Sequence, residues 1–241
     1  MKSFVIITPG RSGSTYLCKL LDLHPELVCE EEIFNRSRND SKSLMGFSSQ
    51  SFPLLNRFFN RDLTLSMSWN WILAWIWRRF LKKKWKSTSY YGFKITIDQL
   101  EAYPSLLDFI ANRSKVILLT RKDKLRQTLS LIKARKTDNY DGFESKPLSF
   151  DTNQVLELHF KHWEWENSIK EKAIEYIIIE AESLFDNPKP TLKRILEFLN
   201  VDPLSEILEN AESKRLNPKD MNKWVTNFRD IQKPFNEMSL E

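Results

Sequence analysis

Cysteine and histidine are scarce in this sequence of 241 residues, which contains two cysteines and three histidines. The two thiols, Cys18 and Cys29, are too few for a disulfide scaffold. They also lack the second pair that a zinc site of the CxxC type needs. We therefore expect free thiols in a reducing compartment, and the sequence predicts no metal site.

Long hydrophobic runs are absent as well. The apolar run at residues 4–7 is much shorter than the core of a signal peptide. The most apolar later segment, residues 69–81, reaches about half of the roughly 20 residues that a membrane-spanning helix needs, and Arg78 and Arg79 interrupt it. The sequence thus argues against export and against a transmembrane helix, and it predicts a cytoplasmic protein.

Neither sign of charge dominates the chain. Lys and Arg together number 37 and Asp and Glu 32, which gives a formal net charge of +5 and a pI near 9.1. This balance favours anionic partners, but a nucleotide or an acidic lipid surface satisfies it, and we predict no nucleic-acid partner. With 41% hydrophobic residues the chain can bury one sizeable core, which predicts a single domain over residues 1–241.

Apolar runs that alternate with helical patterns predict an α/β domain. The run at residues 4–8 lacks polar alternation, as expected of a strand buried on both faces of a parallel sheet, and further strands are predicted at 92–96, 115–120 and 176–179. The predicted helices bury Leu17, Leu20 and Leu21; Leu125, Leu129 and Ile132; Leu156, Phe160 and Trp163; and, after an N-cap at Asn187, Leu192, Ile195, Leu196 and Leu199. This order predicts three layers, with a central parallel sheet flanked by helices.

Residues 36–90 interrupt the alternation and are rich in Ser, Asn, Arg and aromatic residues. We interpret them as an insertion of helices and loops that caps one end of the sheet. Within it, residues 69–86 combine tryptophans, among them Trp75, with a basic cluster. Aromatic rings suit the flat faces of sugars, which makes Trp75 a candidate substrate contact, while the basic end suits acidic lipid head groups and peripheral membrane contact. A core-packing helix with a solvated basic face is the alternative interpretation.

A phosphate-binding loop is predicted between the first strand and the first helix, at residues 9–15. Backbone N–H groups of such a turn and of the helix N-terminus point towards one small volume and bind phosphate or sulfate oxygens. The candidate contacts are Arg11, Ser12, Gly13, Ser14 and Thr15. The loop lacks the Gly-Lys-Ser/Thr ending of a Walker motif, which argues against a Mg²⁺–nucleoside triphosphate. An ordinary turn capped by serines is the alternative.

The residues from Arg11 to Thr15, followed by Leu17 and by His24-Pro25, resemble the phosphate loop of the sulfotransferase superfamily. The likeness is to its bacterial branch of trehalose and nodulation-factor sulfotransferases. It implies a three-layer P-loop-like fold with the cap on the acceptor side. It also implies transfer of a sulfuryl group from 3′-phosphoadenosine 5′-phosphosulfate (PAPS), without a metal, to a hydroxyl of a carbohydrate, glycolipid or small alcohol. The second product is 3′,5′-adenosine bisphosphate (PAP).

The same resemblance implies a binding site for the 3′-phosphate of the donor at the end of a later strand. Arg121 and Lys122 lie at the predicted end of the strand at 115–120, and Ser130 lies in the following helix. The usual spacing in the family places Lys122 opposite Ser130, and both cations remain candidates. A basic, solvated helix face is the alternative for this segment.

Sulfuryl transfer needs a cation at the leaving phosphate and a base at the acceptor hydroxyl. Arg11 is the candidate cation. For the base, Glu32 and then Glu31 align with a glutamate that the trehalose-type relatives use after the first helix, and adjacent carboxylates can raise one another's pKa. A solvated acidic turn is the alternative. His24 is the rival base and a candidate substrate contact, although its place beside Pro25 favours packing or helix capping.

Lys94 is a charge within an otherwise apolar predicted strand. A buried lysine needs a partner, so it contacts either the substrate or a carboxylate such as Asp98. His159 and His162 lie in a predicted helix, and we interpret them as structural.

Two other classes of function remain open at this point. A P-loop kinase or NTPase would share the fold, but should carry a loop lysine and a magnesium-binding aspartate at a strand end. A non-enzymatic protein that binds anionic membrane surfaces would use residues 69–86 and show no preference for the sulfonucleotide.

Overall fold

The structure is a computed structural model, and it describes residues 2–32, 90–102, 104–137, 146–203 and 221–238. Five parallel strands form its sheet: β1 (Lys2–Thr8), β2 (Leu27–Glu32), β3 (Tyr90–Thr96), β4 (Lys115–Thr120) and β5 (Tyr176–Glu180). Their order across the sheet is β2-β3-β1-β4-β5. The predicted cap up to residue 89, with Trp75 and the segment 69–86, lies outside the described residues.

Helices connect the strands and cover the sheet. They are α1 (Ser14–Asp22), α2 (Ile97–Ala102), α3 (Pro104–Ala111), α4 (Lys124–Thr137), α5 (Thr152–Lys172), α6 (Ala181–Asp186), α7 (Pro188–Leu199) and α8 (Phe228–Met238), with a short 3₁₀ turn at Met221–Lys223. Residues of β1 alternate between two clusters, because successive side chains of a strand point to opposite faces. Phe4 and Ile6 pack with α1 and α7, whereas Val5 and Ile7 pack with α3 and α5. The predicted three-layer α/β architecture is therefore confirmed.

Most of the predicted helix faces are also confirmed. The leucines and isoleucines named above for α1, α4 and α7 are all buried. Asn187 precedes α7 and Pro188 is its first residue, as the sequence predicts, although the Asn187 side chain makes no capping hydrogen bond. Cys18 and Cys29 are buried free thiols.

The prediction for α5 is wrong in its buried face. Phe160 and Trp163 were expected in the core, but 49% and 54% of their surfaces are exposed, and their rings stack on each other. The buried face instead includes His162 and Glu166, polar residues that a search for apolar periodicity does not count. Burial lowers the pKa of His162 to about 4, so this histidine is neutral near pH 7. This supports the structural role expected of it.

The sequence did not predict strand β2. Leu27 and Cys29 pack in one core cluster and Val28 packs against the other, but three glutamates follow, so only half of the strand is apolar. This edge strand therefore lacks the largely apolar run that marks the other four, and the sequence presented its glutamates as candidate bases, with a solvated acidic turn as the alternative.

No helix within the described part of the chain is both long enough and apolar enough to cross a membrane.

Gly92 allows close packing between the central strands. It pairs with Phe4 of β1, and a Cβ atom at Gly92 would overlap the ring of Phe4. We predict that Gly92→Ala lowers the free energy of unfolding by about 1–3 kcal/mol, because overpacking forces strained side chains. Denaturant unfolding of Gly92→Ala, Phe4→Leu and the double variant checks this. The smaller leucine should absorb part of the effect; strictly additive losses would contradict the explanation.

Candidate active site

The candidate site lies at the edge of the sheet where the strands end. Because the five strands are parallel, the segments that follow them meet at one edge. The loop after β1, Glu32 at the end of β2, the start of α2 after β3, and Arg121 after β4 all lie there. The order of the strands places the loop in the middle, between the segments after β3 and β4.

The loop after β1 has an unusual backbone. Gly10, Arg11 and Gly13 have φ angles of 83°, 52° and 81°. A positive φ is rare for a residue with a side chain and often marks a functional loop, and Arg11 adopts one. No side chain caps α1 at Gly13, so its first amides can face a bound anion. The conformation expected of an anion-binding turn is therefore present.

Three contacts hold this loop in place. The hydroxyls of Thr8 and Ser12 form a hydrogen bond, and the Gln127 side chain donates to the Gly10 carbonyl at 2.8 Å. The ring of Phe185 in α6 fills the space where a Cβ atom of Gly13 would lie. A glycine is thus required at position 13, because φ is positive there and because the ring leaves no room for a Cβ atom.

Arg11 and Ser130 are 119 positions apart in the chain, and the structure brings them into contact. The Nε atom of Arg11 donates to the Ser130 hydroxyl at 3.3 Å, and Ser130 is buried on α4. The two segments that the family resemblance assigns to the two ends of one nucleotide are therefore neighbours.

The structure distinguishes Arg121 from Lys122. The Arg121 side chain is 13% exposed and its Nε lies 3.7 Å from the Glu182 carboxylate, which also accepts from the Lys122 backbone N–H. The Lys122 side chain is 66% exposed, and its Nζ pairs with Glu180 at 3.0 Å. Arg121 is thus the enclosed cation of the two.

Lys94 is buried and has two anchoring partners. Its Nζ lies 3.1 Å from Oε1 of Glu32 and donates to the Thr15 hydroxyl at 3.0 Å. The sequence correctly predicted that this lysine needs a partner, but the proposed carboxylate, Asp98, is wrong, because Asp98 pairs with Arg135. The ammonium group therefore links the phosphate loop to the end of β2.

A β-bulge selects which glutamate faces Lys94. Glu30 pairs with Phe93, so regular pairing would place Glu31 opposite Lys94, but the register shifts and Glu32 takes this position. A bulge commonly redirects a side chain beside an active site. Glu32 is 26% exposed, and its second oxygen accepts from the Gln99 side chain at 3.2 Å. Of the two candidate bases, Glu32 is the one joined to Lys94.

His24 does not lie near this group. Helix α1 carries the chain back to the opposite edge of the sheet, about 13 Å away at 1.5 Å per residue. The Nδ1 atom of His24 accepts from the Glu26 N–H at 3.2 Å, and Nε2 donates to the Asp202 carbonyl at 3.0 Å. Both ring nitrogens are used, so the roles of base and substrate contact are corrected to packing.

Sequence reasoning missed Gln99 and Gln127. Gln99 has the position of the glutamine in a Thr-x-x-Gln capping box that begins at Thr96, a local signal that could have found it, whereas Gln127 belongs to no recognisable motif. The contacts of both residues with the site come from segments far away in the chain. Within the described part of the chain, no three His, Cys, Asp or Glu side chains are grouped so that they could hold a metal ion.

Comparison with known proteins identifies the family. The family model described as Stf0 sulphotransferase matches residues 3–231 of the chain. The chain is a member of this sulfotransferase family. It is therefore an enzyme of the sulfotransferase class, and the kinase and the non-enzymatic membrane-binding alternatives are set aside.

Relatives of this sulfotransferase include nodulation protein H of Rhizobium tropici, 26% identical, and that of Rhizobium meliloti, 24% identical. The alignments cover 96% and 97% of this chain, and 88% and 91% of the two relatives.

Solved structures share the fold. The sulfotransferase domain from the curacin biosynthetic pathway superposes with a TM-score of 0.55 at 17% identity, covering 95% of this chain and 86% of that one. The sulfotransferase from Alicyclobacillus acidocaldarius also gives 0.55, at 12% identity, covering 98% and 92%.

The ion pair between Lys94 and Glu32 should be coupled energetically. We predict that Lys94→Met lowers the free energy of unfolding by about 1–3 kcal/mol, because it removes the cation facing a partly buried carboxylate. In a Lys94→Met, Glu32→Gln double variant, the loss should be smaller than the sum of the single losses. Denaturant unfolding of the two single variants and the double variant measures these losses. Strictly additive losses would refute the coupling.

Proposed function

We propose that this sulfotransferase transfers a sulfuryl group from PAPS to a hydroxyl of a carbohydrate, glycolipid or small alcohol. The contact between Arg11 and Ser130 carries the proposal, because it joins the residues expected at the 5′-phosphosulfate and at the 3′-phosphate. A carbohydrate acceptor is favoured by the resemblance to nodulation-factor and trehalose sulfotransferases, and the match to nodulation protein H supports it.

The loop residues fit the phosphosulfate end of the donor. The positive φ angles at 10, 11 and 13 orient successive amides as in an anion-binding nest. Arg11 adds a fixed charge there. When bound, PAPS supplies the sulfuryl group and a bisphosphate leaving group. As the bond from sulfur to the leaving phosphate breaks, Arg11 and the loop amides stabilise the negative charge that develops on that phosphate.

Arg121 and Ser130 suit the 3′-phosphate of the donor. Arg121 is enclosed and already held by Glu182, so it needs little reordering to bind an anion. Ser130 offers a buried hydroxyl on the adjacent helix. Lys122 is turned towards Glu180, which makes it the weaker candidate.

Glu32 is the proposed base. It takes the proton of the acceptor hydroxyl as the oxygen attacks sulfur, and Lys94 holds the carboxylate beside the phosphate loop. The carboxylate of Glu32 and the hydroxyl of Thr15 thus contact the same buried ammonium group. For this enzyme we also propose a cytoplasmic location and an acceptor other than nucleic acid.

Donor binding should require Arg11 and Ser130. PAP without added metal should stabilise the enzyme by about 2.7 kcal/mol at a concentration 100 times its Kd. Arg11→Ala and Ser130→Ala should weaken PAP binding, the former by about 10- to 100-fold, since a charged hydrogen bond is lost. Calorimetry and thermal shifts measure this, with ATP plus Mg²⁺ for comparison. Equal stabilisation by ATP plus Mg²⁺ would reject the assignment of PAPS as the donor.

Arg121→Met and Lys122→Met form a matched pair in the same titration. The Arg121 variant should bind PAP more weakly, while Lys122→Met should bind nearly as the native enzyme does. The reverse order would move the 3′-phosphate contact to Lys122.

The base assignment predicts a difference between neighbouring glutamates. Glu32→Gln should lower kcat by about 10²- to 10⁴-fold with PAP binding retained, because a general base is removed. Glu31→Gln should change kcat only a few-fold. Transfer of radiolabelled sulfate from PAPS to a panel of glycans, glycolipids and alcohols measures both. A fully active Glu32→Gln enzyme would exclude Glu32 as the base.

A further inference from the structure

Gln99 is held in a single orientation beside Glu32. Its Oε1 accepts from the Thr96 backbone N–H at 3.1 Å, which turns its amide group towards Glu32. The Nε2 atom then donates to Oε2 of Glu32 at 3.2 Å. Rotating the side-chain amide by 180° would place Oε1 against a carboxylate oxygen and Nε2 against an N–H, and both hydrogen bonds would be lost.

The short helix that carries Gln99 is anchored at two points. Helix α2 has six residues, too few for a helix that is stable by itself. Asp98 accepts two hydrogen bonds from Arg135 of α4, at 2.6 and 2.7 Å. Glu101 pairs with Lys161 of α5 at 2.8 Å. The fully buried side chains of Ile97 and Leu100 hold α2 in the core, and the two partly exposed ion pairs join it to the larger helices, so the position of Gln99 is defined.

Glu32 consequently has a different partner at each oxygen. Lys94 binds Oε1 and Gln99 binds Oε2, so rotation of the carboxylate about its last bond would break both contacts. The Glu32 side chain remains about a quarter exposed. A base held in this way can meet an acceptor hydroxyl without first losing rotational freedom.

We propose that Gln99 is a positioning residue that orients Glu32 for proton transfer from the acceptor. The inference rests on the proposed role of Glu32 as the base. It assigns to α2 a part in the reaction, in addition to its place in the fold.

A purely structural role for Gln99 would depend only on its bond to the Thr96 N–H. Gln99→Glu separates the two roles, because it keeps an acceptor for this N–H and replaces the donor that faces Glu32 with a carboxylate. Gln99→Met removes both groups at similar size. Gln154→Glu, at an exposed position in the first turn of α5, is a matched control for the added charge.

Steady-state kinetics, PAP titration and unfolding should be measured for these variants. We expect Gln99→Glu and Gln99→Met to lower kcat by about 10- to 100-fold, the order expected when a catalytic group is misplaced, with the KM for PAPS and the Kd for PAP within about twofold of native. Gln154→Glu should match the native enzyme. If Gln99→Glu folds poorly, Gln99→Met alone still tests the change in kcat.

A native kcat in either folded Gln99 variant would overturn the proposal. A loss of kcat accompanied by an equal loss of PAP affinity would overturn it as well, since it would indicate a general distortion. Combining Gln99→Glu with Glu32→Gln should reduce the residual kcat little beyond Glu32→Gln alone. An active Glu32→Gln enzyme would reject Glu32 as the base. An inactive Glu32→Gln enzyme together with a Gln99 variant of native kcat would reject only the positioning role of Gln99.

Discussion

The site depends on the interactions that the buried ammonium group of Lys94 makes with its partners. A lysine in the interior of a sheet is unfavourable unless anionic and polar groups surround it. Here Glu32 and Thr15 provide these groups, and they belong to the edge strand β2 and the first turn of α1. The need to satisfy one charge therefore joins the phosphate loop, the central strands and the edge glutamate in one arrangement.

Helix α4 provides the second connection. Ser130 and Gln127 contact the phosphate loop from one end of this helix, and Arg135 holds α2 from the other end. Through α2 the helix reaches Gln99, and through Gln99 it reaches Glu32. The part of the site proposed for the donor and the part proposed for the acceptor thus both connect to one helix.

Much of the fold could be predicted because buried parallel strands are continuous apolar runs. Four of the five strands have this signal, and the buried faces of α1, α4 and α7 have apolar residues at helical spacing. The prediction failed where polar residues take inward positions. The buried face of α5 contains His162 and Glu166, and β2 ends in glutamates, so apolar periodicity misplaced the first and overlooked the second. The same limit hid Gln127 and the contact of Gln99 with Glu32, both of which join segments distant in sequence.

The sequence by itself determined the layered architecture and the turn at residues 9–15, while the pairing of this turn with the segment that contains Ser130 was implied by the family resemblance. The architecture and the turn depend on local patterns of apolar residues, glycine and hydroxyl groups, which neighbouring residues encode. Only the tertiary structure distinguished Glu32, which faces Lys94, from Glu31, and the enclosed Arg121 from the largely exposed Lys122, and placed His24 away from this group. Each of these choices depends on the direction in which a side chain points, and that direction is set by the register of β2 against β3, by carboxylates from another helix, and by the length of α1.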